Sequence, residues 1–157
     1  MEERISYYEL PQEFLEGLHK TEAYLKSSGL DLKLLELMKY RISQINGCAY
    51  CIDMHHKEAI HLGETELRVH SLAAWRECPF YDEKERAVLA FAEVLTIANL
   101  NAVEDEVYDN LSKFYSKVEI AILTLGITQI NTWNRINKVF RSTPGQYKVG
   151  QFGNLIL

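Results

Sequence analysis

The chain has 157 residues, 47 % hydrophobic and 25 % charged, with 17 Lys and Arg against 22 Asp and Glu for a net charge of −5. This balance excludes a disordered chain, and a mildly acidic sequence without a run of Lys or Arg makes a poor nucleic-acid or anionic-membrane binder. Three cysteines are too few, and odd in number, for a disulfide scaffold; a chain of this length buries about 68–70 % of its unfolded surface, enough for a core without staples.

The expected helices follow one another from Pro11, whose fixed φ suits a first helical position. That helix runs to about Lys26 and stops at Ser27-Ser28-Gly29. Asp31 caps a second, whose Leu34, Leu35, Met38, Ile42 and Ile45 form one apolar stripe before Asn46-Gly47 ends it. A third starts near Cys48 and ends at Gly63. Thr65 caps a fourth, expected to reach Glu77 and closed by Pro79. Asp82 with Glu85 has capping-box spacing and opens a fifth through about Ala98. A short helix lies around Glu104 to Lys113, and the S-x-x-E box of Ser116 and Glu119 opens a long one through Phe140.

The tail from Pro144, with Gly145, Gly150 and Gly153, is irregular, and nothing alternates with period two; the predicted class is all-α, in one domain over residues 1–157. The terminal segments carry Tyr7, Tyr8, Tyr147, Phe152, Leu155, Ile156 and Leu157, which either fold back on their own domain or pack on another subunit. The start, MEERISYYEL, lacks a basic region followed by an apolar one. The least polar stretch, Ile120 to Asn134, contains Thr, Gln and Asn and is shorter than the ~18–20 apolar residues of a membrane span. No membrane partner and a reducing cytoplasmic setting are therefore expected, where two close cysteines point to redox chemistry or metal binding.

The chemically loaded segment is Asn46-Gly-Cys-Ala-Tyr-Cys-Ile-Asp-Met-His55. On a helical wheel Cys48, Cys51, Ile52, His55, Ala59 and Leu62 share an inward stripe, while Tyr50, Asp53, Lys57 and His61 lie opposite. Cysteines at i and i+3 have Cβ atoms about 5–6 Å apart, close to disulfide reach. The positive end of the helix favours a thiolate there, and His55 one turn beyond Cys51 is placed to take that thiol's proton. A nucleophile, a resolving thiol and a base are what a two-cysteine redox cycle requires. Three plainer readings stay open: two small buried hydrophobes, a zinc site with Cys78 or His56 as fourth ligand, and a core histidine satisfied by packing. Cys78, just before Pro79, reads as structural, and His56, His61 and His70 as surface or packing residues.

Glu36 lies twelve residues before Cys48. The pattern Glu–x11–Cys–x–Tyr–Cys–x3–His, followed by Ala59 and Gly63, resembles the core motif of the carboxymuconolactone decarboxylase superfamily, and most closely its AhpD-like alkylhydroperoxidase branch. Weaker similarity runs through Trp75-Arg76-Glu77, Asp82–Leu95 and Asn131–Arg135, so that it covers most of residues 30–140. The resemblance implies an AhpD-like helical bundle of about six to seven helices that assembles as a homo-oligomer, trimer or hexamer. It implies a thiol-dependent hydroperoxide reductase, an antioxidant peroxidase with a redox-active disulfide. Glu36, Cys48, Cys51 and His55 form its catalytic relay, an external dithiol or protein its reductant, and it needs no organic cofactor or metal. One AhpD subgroup has His where Tyr50 stands here; with an ordinary pKa near 10, the phenol is the poorer proton shuttle at neutral pH. The decarboxylase branch lacks the C-x-x-C pair, so lactone decarboxylation ranks below redox chemistry, as does a non-enzymatic redox sensor.

On Glu36 the pattern and the resemblance conflict. It shares a helix face with Lys33, Lys39 and Tyr40, off the apolar stripe, and by pattern alone that face is solvated. Trp133, Asn134 and Arg135 read as packing with an intrahelical polar face rather than as substrate contacts.

Overall fold

A computed structural model describes residues 2–98 and 103–152. Among them the protein is all-α, with helices α1 (Glu13–Ser27), α2 (Leu32–Asn46), α3 (Ala49–His61), α4 (Glu66–Ser71), α5 (Glu83–Thr96), α6 (Asp105–Ser112) and α7 (Lys117–Phe140). The expected caps form. Asp31 and Thr65 accept backbone N–H groups at the starts of α2 and α4, and both Asp82–Glu85 and Ser116–Glu119 close full capping boxes.

α4 departs from expectation. It ends at Ser71 and passes into a 3-10 turn, Leu72–Ala74, instead of running to Glu77. Pro79 disfavours helical backbone at the residue before it, and the Arg86 guanidinium donates to the carbonyls of Arg76 and Cys78 in the turn that follows.

α2 is the central element, packed against α3, α5 and α7. Its stripe of Leu34, Leu35, Met38 and Ile42 meets Val88, Phe91 and Ala92 of α5 and Leu123, Ile127 and Ile130 of α7. A Cβ on Gly126 would lie 3.0 Å from Met38 Cε, so α7 packs tightly on the Met38 side chain of α2 at this glycine. The opposite side of α2 is covered too: Leu37 and Tyr40 join Ala59, Val69, Leu72 and Trp75 in a second cluster. A helix buried on several sides has no solvated face, which overturns the pattern-based reading of Glu36. Glu36, Lys39 and Tyr40 are all buried, and only Lys33 lies nearer the surface, reaching the Gly63 carbonyl at 3.2 Å.

The terminal segments fold back on their own chain where they are described. Arg4 N–H donates to the Phe140 carbonyl at 2.8 Å, and the Tyr7 ring packs on Phe140 and Trp133. Tyr147 is buried, its hydroxyl on Glu58, with Phe152 beside its ring. Tyr8 stands 96 % exposed, while Leu155, Ile156 and Leu157 lie outside the described residues. None of the described helices is long and apolar enough to cross a membrane.

Candidate active site

Gly47, at φ 62°, takes the left-handed conformation that ends α2, and Cys48 at once caps α3 with extended backbone. This tight junction is locked by Cys48 N–H donating to the Ser43 carbonyl at 3.0 Å. It places both thiols at the start of α3 against α7, with Cys48 2 % and Cys51 0 % exposed. The two sulfurs are 2.7 Å apart, against about 2.05 Å in a disulfide, so little movement joins them. The Cys48 thiol is pulled down to about 7, chiefly by its hydrogen bond with Cys51, which outweighs burial; Lys138 adds a smaller electrostatic pull. Cys51 is pushed well above the ordinary thiol range by Cys48 beside it and by burial. Of the two hydrogen-bonded thiols, Cys48 is thus the more acidic.

α7 supplies polar groups that sequence reasoning passed over. Asn137 Nδ2 lies 3.5 Å from Cys51 Sγ, and its Oδ1 accepts the Tyr7 hydroxyl at 3.0 Å. Asn134, read as a packing residue, is fully buried and donates to Ser43 Oγ at 3.1 Å; Asn46 donates to the Oδ1 atoms of Asn131 and Asn134, each at 2.9 Å. A signal did exist: Asn131, Asn134 and Asn137 recur every third position along the C-terminal half of α7. Polar side chains on a buried stripe need partners.

The structure brings Glu36 and His55 together. Glu36 Oε2 and His55 Nδ1 are 2.6 Å apart, and His55 Nε2 is buried without a hydrogen-bond partner among the described residues. Behind them a further pair closes the network. Lys39 Nζ lies 3.5 Å from Glu36 Oε1 and 2.9 Å from Glu22 Oε2, and Glu22 Oε1 accepts Trp133 Nε1–H at 2.9 Å. Burial raises the Glu36 carboxyl, yet the His55 ring and the Lys39 ammonium outweigh it and hold it down to about 2. Glu22 shifts down against its own burial because Lys39 faces it. Burial opposes the Lys39 charge, but the two carboxylates carry it well above the ordinary lysine range.

A folded-state pKa near 2 against an ordinary 4.5 means that ionised Glu36 stabilises the fold above about pH 4.5, and that this stability is lost as pH falls towards 2. Thermal melts of wild type should therefore fall over that interval more steeply than those of Glu36→Gln; parallel curves would show that the pairing contributes nothing.

A cavity of about 610 Å³ opens beside this network. Its wall includes Tyr7, Tyr50, Met54, His55, Asn137 and Tyr147. Tyr50, expected to point outward, instead packs on the core and lines this space; burial and the nearby Cys51 raise its phenol to about 12, so it keeps its proton at neutral pH. Cys78 and His56 are not brought to the thiol pair. Cys78 Sγ sits 3.8 Å from the Ser71 carbonyl, and His56 meets Glu66 at 3.4 Å. Among the described residues no group of three or more His, Cys, Asp or Glu is arranged to hold a metal ion.

Fold and residue pattern together place the chain in the carboxymuconolactone decarboxylase family, to which it belongs through a match over residues 10–94, and within it in the AhpD-like branch. It is 43 % identical over 137 residues to the uncharacterized protein YdfG of Bacillus subtilis, covering 87 % of this chain and 93 % of that protein. It superposes with TM-score 0.88 and 38 % identity on ATU0492 of Agrobacterium tumefaciens, a protein of unknown function and candidate antioxidant defence protein AhpD, covering 93 % of this chain and all (100 %) of that one. The debrominase Bmp8 shares the fold at TM-score 0.66 and 18 % identity, covering 92 % and 91 % of the two chains. One fold thus hosts different chemistries, and the reaction has to be argued from the site.

Proposed function

We propose that the protein is a thiol-dependent hydroperoxide reductase of the AhpD type. One observation carries this reading: two buried thiols 2.7 Å apart at the start of α3, with His55 one turn beyond Cys51 on that helix and paired to Glu36 of α2. The Cys51 thiolate attacks one oxygen of the hydroperoxide O–O bond; that bond breaks, and the leaving alkoxide takes a proton to depart as an alcohol. Cys51 becomes a sulfenic acid, and Cys48 displaces its hydroxyl as water to form the disulfide. An external dithiol or protein dithiol then reduces the pair by two electrons and is itself oxidised to a disulfide.

His55 takes the Cys51 proton and returns it to the leaving oxygen, while Glu36 fixes the ring's tautomer through Nδ1. The cavity that His55 faces is of a size that accepts an organic hydroperoxide. No organic cofactor or metal takes part in these steps.

The test is consumption of tert-butyl hydroperoxide by the wild-type protein with dithiothreitol as reductant, followed by peptide mapping without reduction. Catalytic turnover together with a peroxide-dependent Cys48–Cys51 disulfide is expected. Consumption no faster than in protein-free buffer would sink the proposal, and about one zinc per purified chain would redirect it to metal binding.

A further inference from the structure

We propose that Asn137 is a hydrogen-bond donor that stabilises negative charge on the Cys51 sulfur, with Tyr7 of the N-terminal segment as the positioning residue that holds its amide in the donating orientation. Three contacts determine that orientation. The Trp133 carbonyl can only accept, and it lies 2.9 Å from Asn137 Nδ2, which assigns the nitrogen to that side of the amide. The second hydrogen on the same nitrogen is left for Cys51 Sγ, at 3.5 Å. The amide oxygen then faces Tyr7, whose hydroxyl donates to it at 3.0 Å. Burial, with Tyr50 and Cys51 nearby, raises the Tyr7 phenol well above its ordinary range, so this donor keeps its proton at working pH.

The chain therefore runs one way, from the Tyr7 hydroxyl through the Asn137 amide to the sulfur. An N–H···S contact is weak while the sulfur is a thiol and strengthens once the sulfur is charged, since hydrogen bonds to ionised acceptors are roughly twice as strong as neutral ones. It favours the thiolate over the thiol, in a site where burial works the other way. The titratable groups around the pair are Cys48, Tyr50 and His55 of α3, Tyr7 of the N-terminal segment, and Lys138 of α7. Asn137 is uncharged, so its effect is separable from theirs. Tyr7 and Asn137 also line the cavity, so a ligand that moves the Tyr7 ring alters the thiol. The use of this donor in peroxide turnover rests on the peroxidase reading; the stabilisation of charge on Cys51 does not.

The experiment uses a Cys48→Ser/Cys78→Ser background, in which Cys51 is the remaining thiol. Its titration is followed by thiolate absorbance and by the rate of iodoacetamide alkylation against pH. Asn137→Leu is expected to move the Cys51 titration up by about one unit and slow alkylation at pH 7 by about tenfold. Tyr7→Phe should move both in the same direction by about two- to threefold, and should add nothing once Asn137 is Leu. Titration curves that do not move in Asn137→Leu, or a Tyr7→Phe effect that persists in the double variant, would overturn the proposal even if melting temperature falls. Should the leucine variant fail to fold, Tyr7→Phe decides alone, because it removes one atom from the chain. No peroxide is used, so a failure here is distinguishable from a failure of the peroxidase reading.

Discussion

Replacing Cys51 by serine should reduce dithiol-driven hydroperoxide consumption to the protein-free rate, whereas Cys48→Ser should still support one stoichiometric oxidation. The asymmetry follows from the positions of the two sulfurs. Cys51 has the Asn137 amide at 3.5 Å, and His55 follows it by one helical turn on α3, so the proposed base and a charge-stabilising donor both belong to the Cys51 side of the pair. Cys48 sits at the start of α3 and is pulled down to about 7. A thiol so depressed is ready as a thiolate to attack the sulfenic acid, and it is the better leaving group when a reductant opens the disulfide. Serine at position 51 removes the attacking thiolate; serine at position 48 leaves the first oxidation intact and traps it as sulfenic acid. Mass spectrometry after limited peroxide reads this directly. Sulfenic acid on Cys48 in the Cys51→Ser protein, with none on Cys51 in the converse variant, would reverse the roles. Activity that survives both substitutions together would favour lactone decarboxylation, and disulfide formation with negligible turnover a redox sensor.

The helices were legible in the sequence because their ends carry local chemistry. Asp31, Thr65, Asp82 and Ser116 form the side-chain caps their spacing implies, and Gly47 takes the positive φ that a helix stop requires. Local signals failed where the outcome depends on distant chain. The Glu36 face of α2 reads as solvated because neighbours along the helix include Lys33 and Lys39. It is buried because α3 brings His55 against it and α1 brings Glu22 to Lys39. No window of one helix contains that information, and the helical wheel missed it. Tyr50 misled in the same manner, since the segments that line the cavity with it come from the far ends of the chain. The contact of Asn137 with Cys51 spans 86 residues, and only the polar ladder of α7 hinted at it.

Lys39→Met is expected to be the most destabilising single change at the site. Methionine nearly matches the apolar stem of lysine, so the substitution isolates the charge. Lys39 is 3 % exposed and faces two carboxylates, Glu22 at 2.9 Å and Glu36 at 3.5 Å. Without the ammonium, the buried Glu36 and half-buried Glu22 lie near each other, compensated by the Trp133 N–H, the His55 ring and the more distant Lys26 charge. Removing one partner from a buried ionic network costs about 3–5 kcal/mol, most of it from the charge left behind. For a chain of this size that lowers Tm by about 10 °C or more. The double variant Lys39→Met/Glu22→Gln should recover part of the loss, because it removes one of the uncompensated charges rather than adding a second defect. The pH dependence should move as well. With Lys39 gone, Glu36 loses one of the three groups, His55, Lys39 and Lys26, that hold its pKa down, so its ionised form stops stabilising the fold at a higher pH than in wild type. Paired thermal melts at pH 7 and pH 4 check both points: a Lys39→Met melting temperature within about 2 °C of wild type at pH 7 would show that the network is solvated in solution and that Lys39 does not hold Glu36.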